Sequence, residues 1–116
     1  MYLDHATLIV SDVAKAVAYF RDVLGFAVHG DGDGYAEVDL GTLVCGLMSD
    51  AMVPVQPAAG VILQVRVEDV AGMLRTVQQR GADVLLEPTS TGWGTESAMV
   101  AGPDGIVVEL YRETPA

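Results

Sequence analysis

Residues 3–13 read LDHATLIVSDV and residues 60–70 read GVILQVRVEDV. The second stretch repeats the design of the first 57 positions later, and each leads into a helical pattern that a glycine ends. In the first copy Ala6, Leu8 and Val10 fall on one side of an extended chain, and in the second Leu63, Val65 and Val67 do the same. Those sides should pack on the helices. The opposite sides carry His5, Thr7 and Ile9, and Ile62, Gln64 and Arg66, so polar groups point away from the helix, where a ligand cup can form. A repeat of this period marks two copies of one supersecondary unit that bury their apolar faces together.

Working outward, Asp12 stands where a helix cap is wanted, Val13, Val17, Phe20 and Leu24 share a helical face, and Gly25 ends it. Asp69, Val70, Met73, Leu74, Val77 and Gly81 repeat the design. After the first helix, 26–29, 35–40 and 42–48 read as three strands of a meander, with the glycine-punctuated turn 30–34 between the first two. After the second, 84–87, 95–101 and 106–112 read as strands, with 88–94 as a Thr/Ser/Gly-rich loop. Each half is therefore β-α-β-β-β. The boundaries are residues 1–48 for the first module, 49–59 for a linker holding Pro54 and Pro57, and 60–113 for the second module, with a frayed tail.

A chain of 116 residues has the length of one domain, and a ~60-residue half buries only about 60% of its unfolded surface, so the halves should share a core. Sixteen acidic against six basic residues give a formal charge of −10. That charge repels phosphates and anionic headgroups, so neither nucleic acid nor membrane is an expected partner. The N-terminus has no basic residue before its short apolar run, and no apolar stretch nears the ~18 to 20 residues of a span; the expectation is a soluble cytoplasmic protein. The single Cys45 cannot form an intramolecular disulfide, which fits a reducing compartment.

Paired β-α-β-β-β units, the phrase AVAYFRDVLGF at 16–26 after a strand bearing His5, and the closing PDGIVVELYR at 103–112 together resemble the vicinal oxygen chelate superfamily. That group includes glyoxalase I, extradiol dioxygenases, methylmalonyl-CoA epimerase, fosfomycin-resistance enzymes and bleomycin-resistance binding proteins. The resemblance implies an α+β fold in which two βαβββ modules form curved mixed sheets around a cleft, with helices outside. It implies a homodimer, and leaves open that a site is completed across the subunit interface.

Metal-using members place a ligand on the first strand of a module and another on its last strand. His5 matches the first, and Glu109 in VVELYR matches the second, where it would also be the catalytic proton shuttle. Ile62 stands where the second module's histidine would, and the last-strand position of the first module falls at Cys45 or Gly46. Gln64 through its amide oxygen, or Cys45 as a thiolate, is a possible third ligand for Zn²⁺, Ni²⁺, Mn²⁺ or Fe²⁺. Each residue also has a plainer reading: a strand histidine hydrogen-bonded to its neighbours, a carboxylate at an edge, an amide lining a pocket, a small buried thiol. Arg66 offers a planar donor fork to a ligand carboxylate or phosphate, against the alternative of a surface arginine at a strand end. Trp93, in the glycine-rich loop, either closes the cup over a ligand or plugs the loop from beneath. Asp31 and Asp33 suggest a calcium loop, but the sixth and twelfth positions are Ala36 and Thr42 where glycine and glutamate are required.

Two functions follow. One is binding or sequestration of a small organic molecule without a metal. The other is a divalent-metal-dependent lyase, isomerase or dioxygenase of the glyoxalase type, the ion acting as a Lewis acid. The missing ligands favour binding.

Overall fold

The computed structural model describes residues 1–30, 34–57 and 59–115, so Asp31 and Asp33 lie outside the described residues. It divides into two compact units, 1–59 and 60–116.

The first unit runs β1 (His5–Ile9), α1 (Val13–Ala18), β2 (Ala27–His29), β3 (Tyr35–Asp39) and β4 (Val44–Met48). Its sheet has the order β1-β4-β3-β2, with β1 and β4 parallel and the rest antiparallel. The Asp12 carboxylate accepts from the Lys15 backbone N–H at 3.0 Å, which satisfies one of the free donors at the start of α1. The helix stays α-helical only to Ala18 and continues as a π-turn over Tyr19–Val23, in which the Leu24 N–H reaches back to the Tyr19 carbonyl at 3.1 Å. Gly25, at φ 84°, then reverses the chain so that the Phe26 N–H meets the Phe20 carbonyl. Val13, Ala16, Val17 and Phe20 are buried on the side of the sheet that carries Ala36, Val38, Cys45 and Leu47.

The second unit runs β5 (Ile62–Arg66), α2 (Val70–Gln79), β6 (Val84–Ser90), β7 (Thr95–Ala101) and β8 (Val107–Glu113). Its sheet order, β5-β8-β7-β6, repeats that of the first unit, again with a parallel first pair. Asp69 caps α2 by accepting from the Gly72 N–H at 3.0 Å. Val70, Leu74 and Val77 cover Ala98, Val100, Val108 and Leu110. The strand expected to stop at Glu87 instead continues through Pro88 to Ser90. Because β6 is the outer strand, Pro88 need not supply a ladder hydrogen, and the register shifts between Leu86 and Thr89 accommodate it.

Candidate functional site

In each module the helix covers one face of the sheet, and the other face carries the polar side chains. In the second, β8 lies between β5 and β7, and its register places Glu109 opposite Gln64 on one side and Met99 on the other. Glu109 is buried at 8% exposure. The Gln64 amide donates to Oε1 at 3.0 Å and the Ser97 hydroxyl donates to Oε2 at 2.6 Å. Ser97 sits on the same face of β7 as Met99, and is itself buried. Two neutral donors from flanking strands thus fix the carboxylate in one orientation. Ser97 was not among the residues singled out from the sequence; the alternation of Thr95, Ser97 and Met99 through β7 is the signal that would have found it.

In the first module the register row Thr7–Gly46–Glu37 corresponds to Gln64–Glu109–Met99. The equivalent of Glu109 is therefore Gly46. A Cβ there would stand 2.7 Å from the Thr7 hydroxyl oxygen, so the close packing of β1 on β4 favours glycine. With no side chain between them, Glu37 on β3 approaches His5 on β1: its Oε2 lies 3.7 Å from His5 Nε2 and accepts from the Tyr35 hydroxyl at 2.8 Å. Asp4 engages His5 Nδ1 at 2.8 Å. That hydrogen bond, with the charges of Asp4 and Glu37, raises the histidine above its ordinary pKa. Glu37 is the second residue that sequence reasoning missed, because its meeting with His5 depends on what Gly46 lacks.

A family model described as the Glyoxalase/Bleomycin resistance protein/Dioxygenase superfamily matches residues 2–110. The chain belongs to this superfamily. A solved structure described as a conserved domain protein is 34% identical, with a TM-score of 0.87 over 98% of this chain and 100% of that one. TnmS3, an antibiotic binding protein from a Streptomyces species, is 26% identical, with a TM-score of 0.79 over 98% and 97% of the two chains. A glyoxalase/bleomycin resistance protein/dioxygenase from Nocardioides, 15% identical with a TM-score of 0.82 over 100% and 85%, shares the fold. No curated protein matches the sequence.

Superfamily members often use a divalent metal, and the donor sets here can be compared with what such an ion takes. Ile62 is half-exposed on the open face and offers no ligand atom, and Gly46 offers none. Cys45 pairs with Ala6, so it lies on the helix side, opposite His5, at 1% exposure. This corrects the expectation of Cys45 as a third ligand: strand alternation alone turns it away. Burial pushes its thiol above the ordinary pKa, so the unreactive protonated form is favoured. Native protein at pH 8 should therefore react with a disulfide reagent only as fast as the first module opens, and fully in urea, followed by release of the chromophore. Among the described residues, no three His, Cys, Asp or Glu side chains gather into a metal-holding group. Among the described residues, neither module supplies the three protein ligands of an ordinary catalytic ion.

Arg66 donates to Glu113 at 3.0 Å and its guanidinium lies 5.4 Å from the centre of the Tyr111 ring. With Val67, Glu68, Arg112 and Glu113 it lines an open cavity of about 550 Å³ at the ends of β5 and β8. Arg112 is in turn held by Glu96 at 2.9 Å. Trp93 is 78% exposed, which overturns its reading as a plug beneath the loop. Among the described residues no helix is long and apolar enough to cross a membrane.

Proposed function

We propose that this superfamily member binds a small organic molecule on the open face of the second module's sheet, and that its role is sequestration or carriage. The observation that carries this reading is the carboxylate of Glu109, oriented by Ser97 and Gln64 and so prepared as a fixed acceptor without help from an ion. Gln64 and Ile62 are exposed beside it, which gives a ligand both a polar contact and an apolar one. The exposed indole of Trp93 provides a flat surface for stacking. The likeness to an antibiotic binding protein at 26% identity supports the same reading. Because Trp93 is the chain's single tryptophan, its fluorescence reports on a ligand stacked there. Titration with a panel of aromatic natural-product-like molecules should find members that quench it and raise the melting temperature. A ligand at 100 times its Kd stabilises by about 2.7 kcal/mol. Gln64→Ala should weaken the binding of such a ligand; unchanged affinity in that variant would count against this face.

A second reading, a metal-dependent enzyme of the glyoxalase type, is favoured by one feature. Asp4 holds Nδ1 of His5 as outer carboxylates hold metal-bound histidines, while Nε2 is turned toward Glu37. On that reading His5 and Glu109 are each a candidate ligand, and the ion would polarise substrate oxygens. Titration with Zn²⁺, Ni²⁺, Mn²⁺ and Fe²⁺ decides it: about one ion per chain, lost in both His5→Ala and Glu109→Ala, would replace sequestration by catalysis. Superfamily members often form dimers, and we extend that arrangement to this chain, to be checked by sedimentation.

A further inference from the structure

Glu109 is an acid nine-tenths buried whose partners carry no charge. Among the described residues no Lys, Arg or His nitrogen forms an ion pair with it; the nearest arginine along the same face of β5, Arg66, is spent on Glu113 and Tyr111. A buried carboxylate is costly unless an opposite charge or a full set of donors compensates it. An ionised carboxylate has about four acceptor sites, and Ser97 and Gln64 fill one on each oxygen. On the same face of the neighbouring strand stand Gln64, exposed and bonded to Glu109 through its amide, and Ile62, half-exposed.

We infer that the missing positive charge is brought by the ligand: Glu109 is the docking point for a protonated nitrogen, an ammonium or amidinium, attached to an apolar body that rests on Ile62. This deepens the binding function proposed above and rests on it. The cation would bond Glu109 directly, with Gln64 turning aside or sharing the oxygen, and its hydrogen bonds would be of the stronger charge-assisted kind. The chain's net charge of −10 adds a field that draws cations toward it and disfavours anionic competitors. Tyr111, two residues from Glu109 on the same strand face, already lies under a guanidinium, so the surface beside the site accommodates positive charge.

The test compares cations with neutral molecules of the same shape: benzamidine against benzamide, and phenethylamine against phenethyl alcohol, by calorimetry at pH 7 and fixed ionic strength. Each cation should bind the wild-type protein at least about tenfold more tightly than its neutral twin. In Glu109→Gln, which keeps the volume and can keep both neighbours, that ratio should fall to near one while the neutral molecule's affinity stays the same. Ser97→Ala keeps the charge but removes one of the donors that orient it, and should lower the ratio less than Glu109→Gln does. Equal affinities in the wild type, or a preference that survives Glu109→Gln, would overturn the cation assignment and leave small-molecule binding standing. Failure of all four molecules and of the aromatic panel to bind would overturn both. Binding of Zn²⁺, Ni²⁺ or Mn²⁺ that is lost in Glu109→Gln and displaces the amines would assign the missing charge to a metal instead.

Discussion

Phe20→Ala should lower the stability of the protein by about 3–5 kcal/mol, read from the urea midpoint. Phe20 is fully buried in the π-turn that ends the first helix, and it meets Tyr19 edge to face with ring centres 5.5 Å apart. Truncation removes the largest wholly buried side chain of the molecule and leaves a cavity under a backbone that is itself pinned by the Phe26 hydrogen bond. A backbone held at that point collapses poorly onto the void, so the upper part of the range is expected. Since a domain's whole stability is about 5–15 kcal/mol, the loss should be visible as a large shift of the transition. A change below about 1 kcal/mol would mean that the π-turn repacks freely, contrary to this account.

Leu110→Ala should cost about 2–5 kcal/mol, while its neighbour Glu109→Gln should cost far less. The two residues are adjacent on β8 yet face opposite ways. Leu110 is 2% exposed, in register with Val65 and Ala98 on the helix side, whereas Glu109 belongs to the open face. Stability and selectivity should therefore separate between adjacent positions. Leu110→Ala should unfold at lower urea but, in its folded fraction, keep the preference for amines over their neutral twins. Glu109→Gln should do the reverse. If Leu110→Ala erased the preference at unchanged stability, the assignment of the two faces would be wrong.

The parts of this fold that were readable from sequence are those whose causes are local. Asp12 and Asp69 cap the helices they precede, Gly25 and Gly81 take the left-handed conformation that ends them, and strand alternation separates Leu63 and Val65 from Gln64 and Arg66. The superfamily followed from the same repeated pattern. Where the reading fell short, the deciding contact was distant in sequence. Residues 88–94 read as a Thr/Ser/Gly-rich loop, and nothing nearby announces that β6 runs on to Ser90 as the outermost strand. Glu37 gains its neighbour His5 only through a glycine on the intervening strand, and Ser97 reaches Glu109 only through the pairing of β7 with β8. Cys45 or Gly46 as the counterpart of Glu109 was a one-residue ambiguity, and strand register resolves it in favour of Gly46.

The proline within β6 has a bearing on how this protein behaves when concentrated. An outermost strand normally offers a row of free amide hydrogens to any extended chain that drifts past, which is how fibrils gain new layers. Here the row is interrupted near its middle and the ladder behind it is out of step, although Leu85 and Leu86 lie exposed beside it. Restoring the hydrogen with Pro88→Val would turn a frustrated rim into a growth point for aggregates.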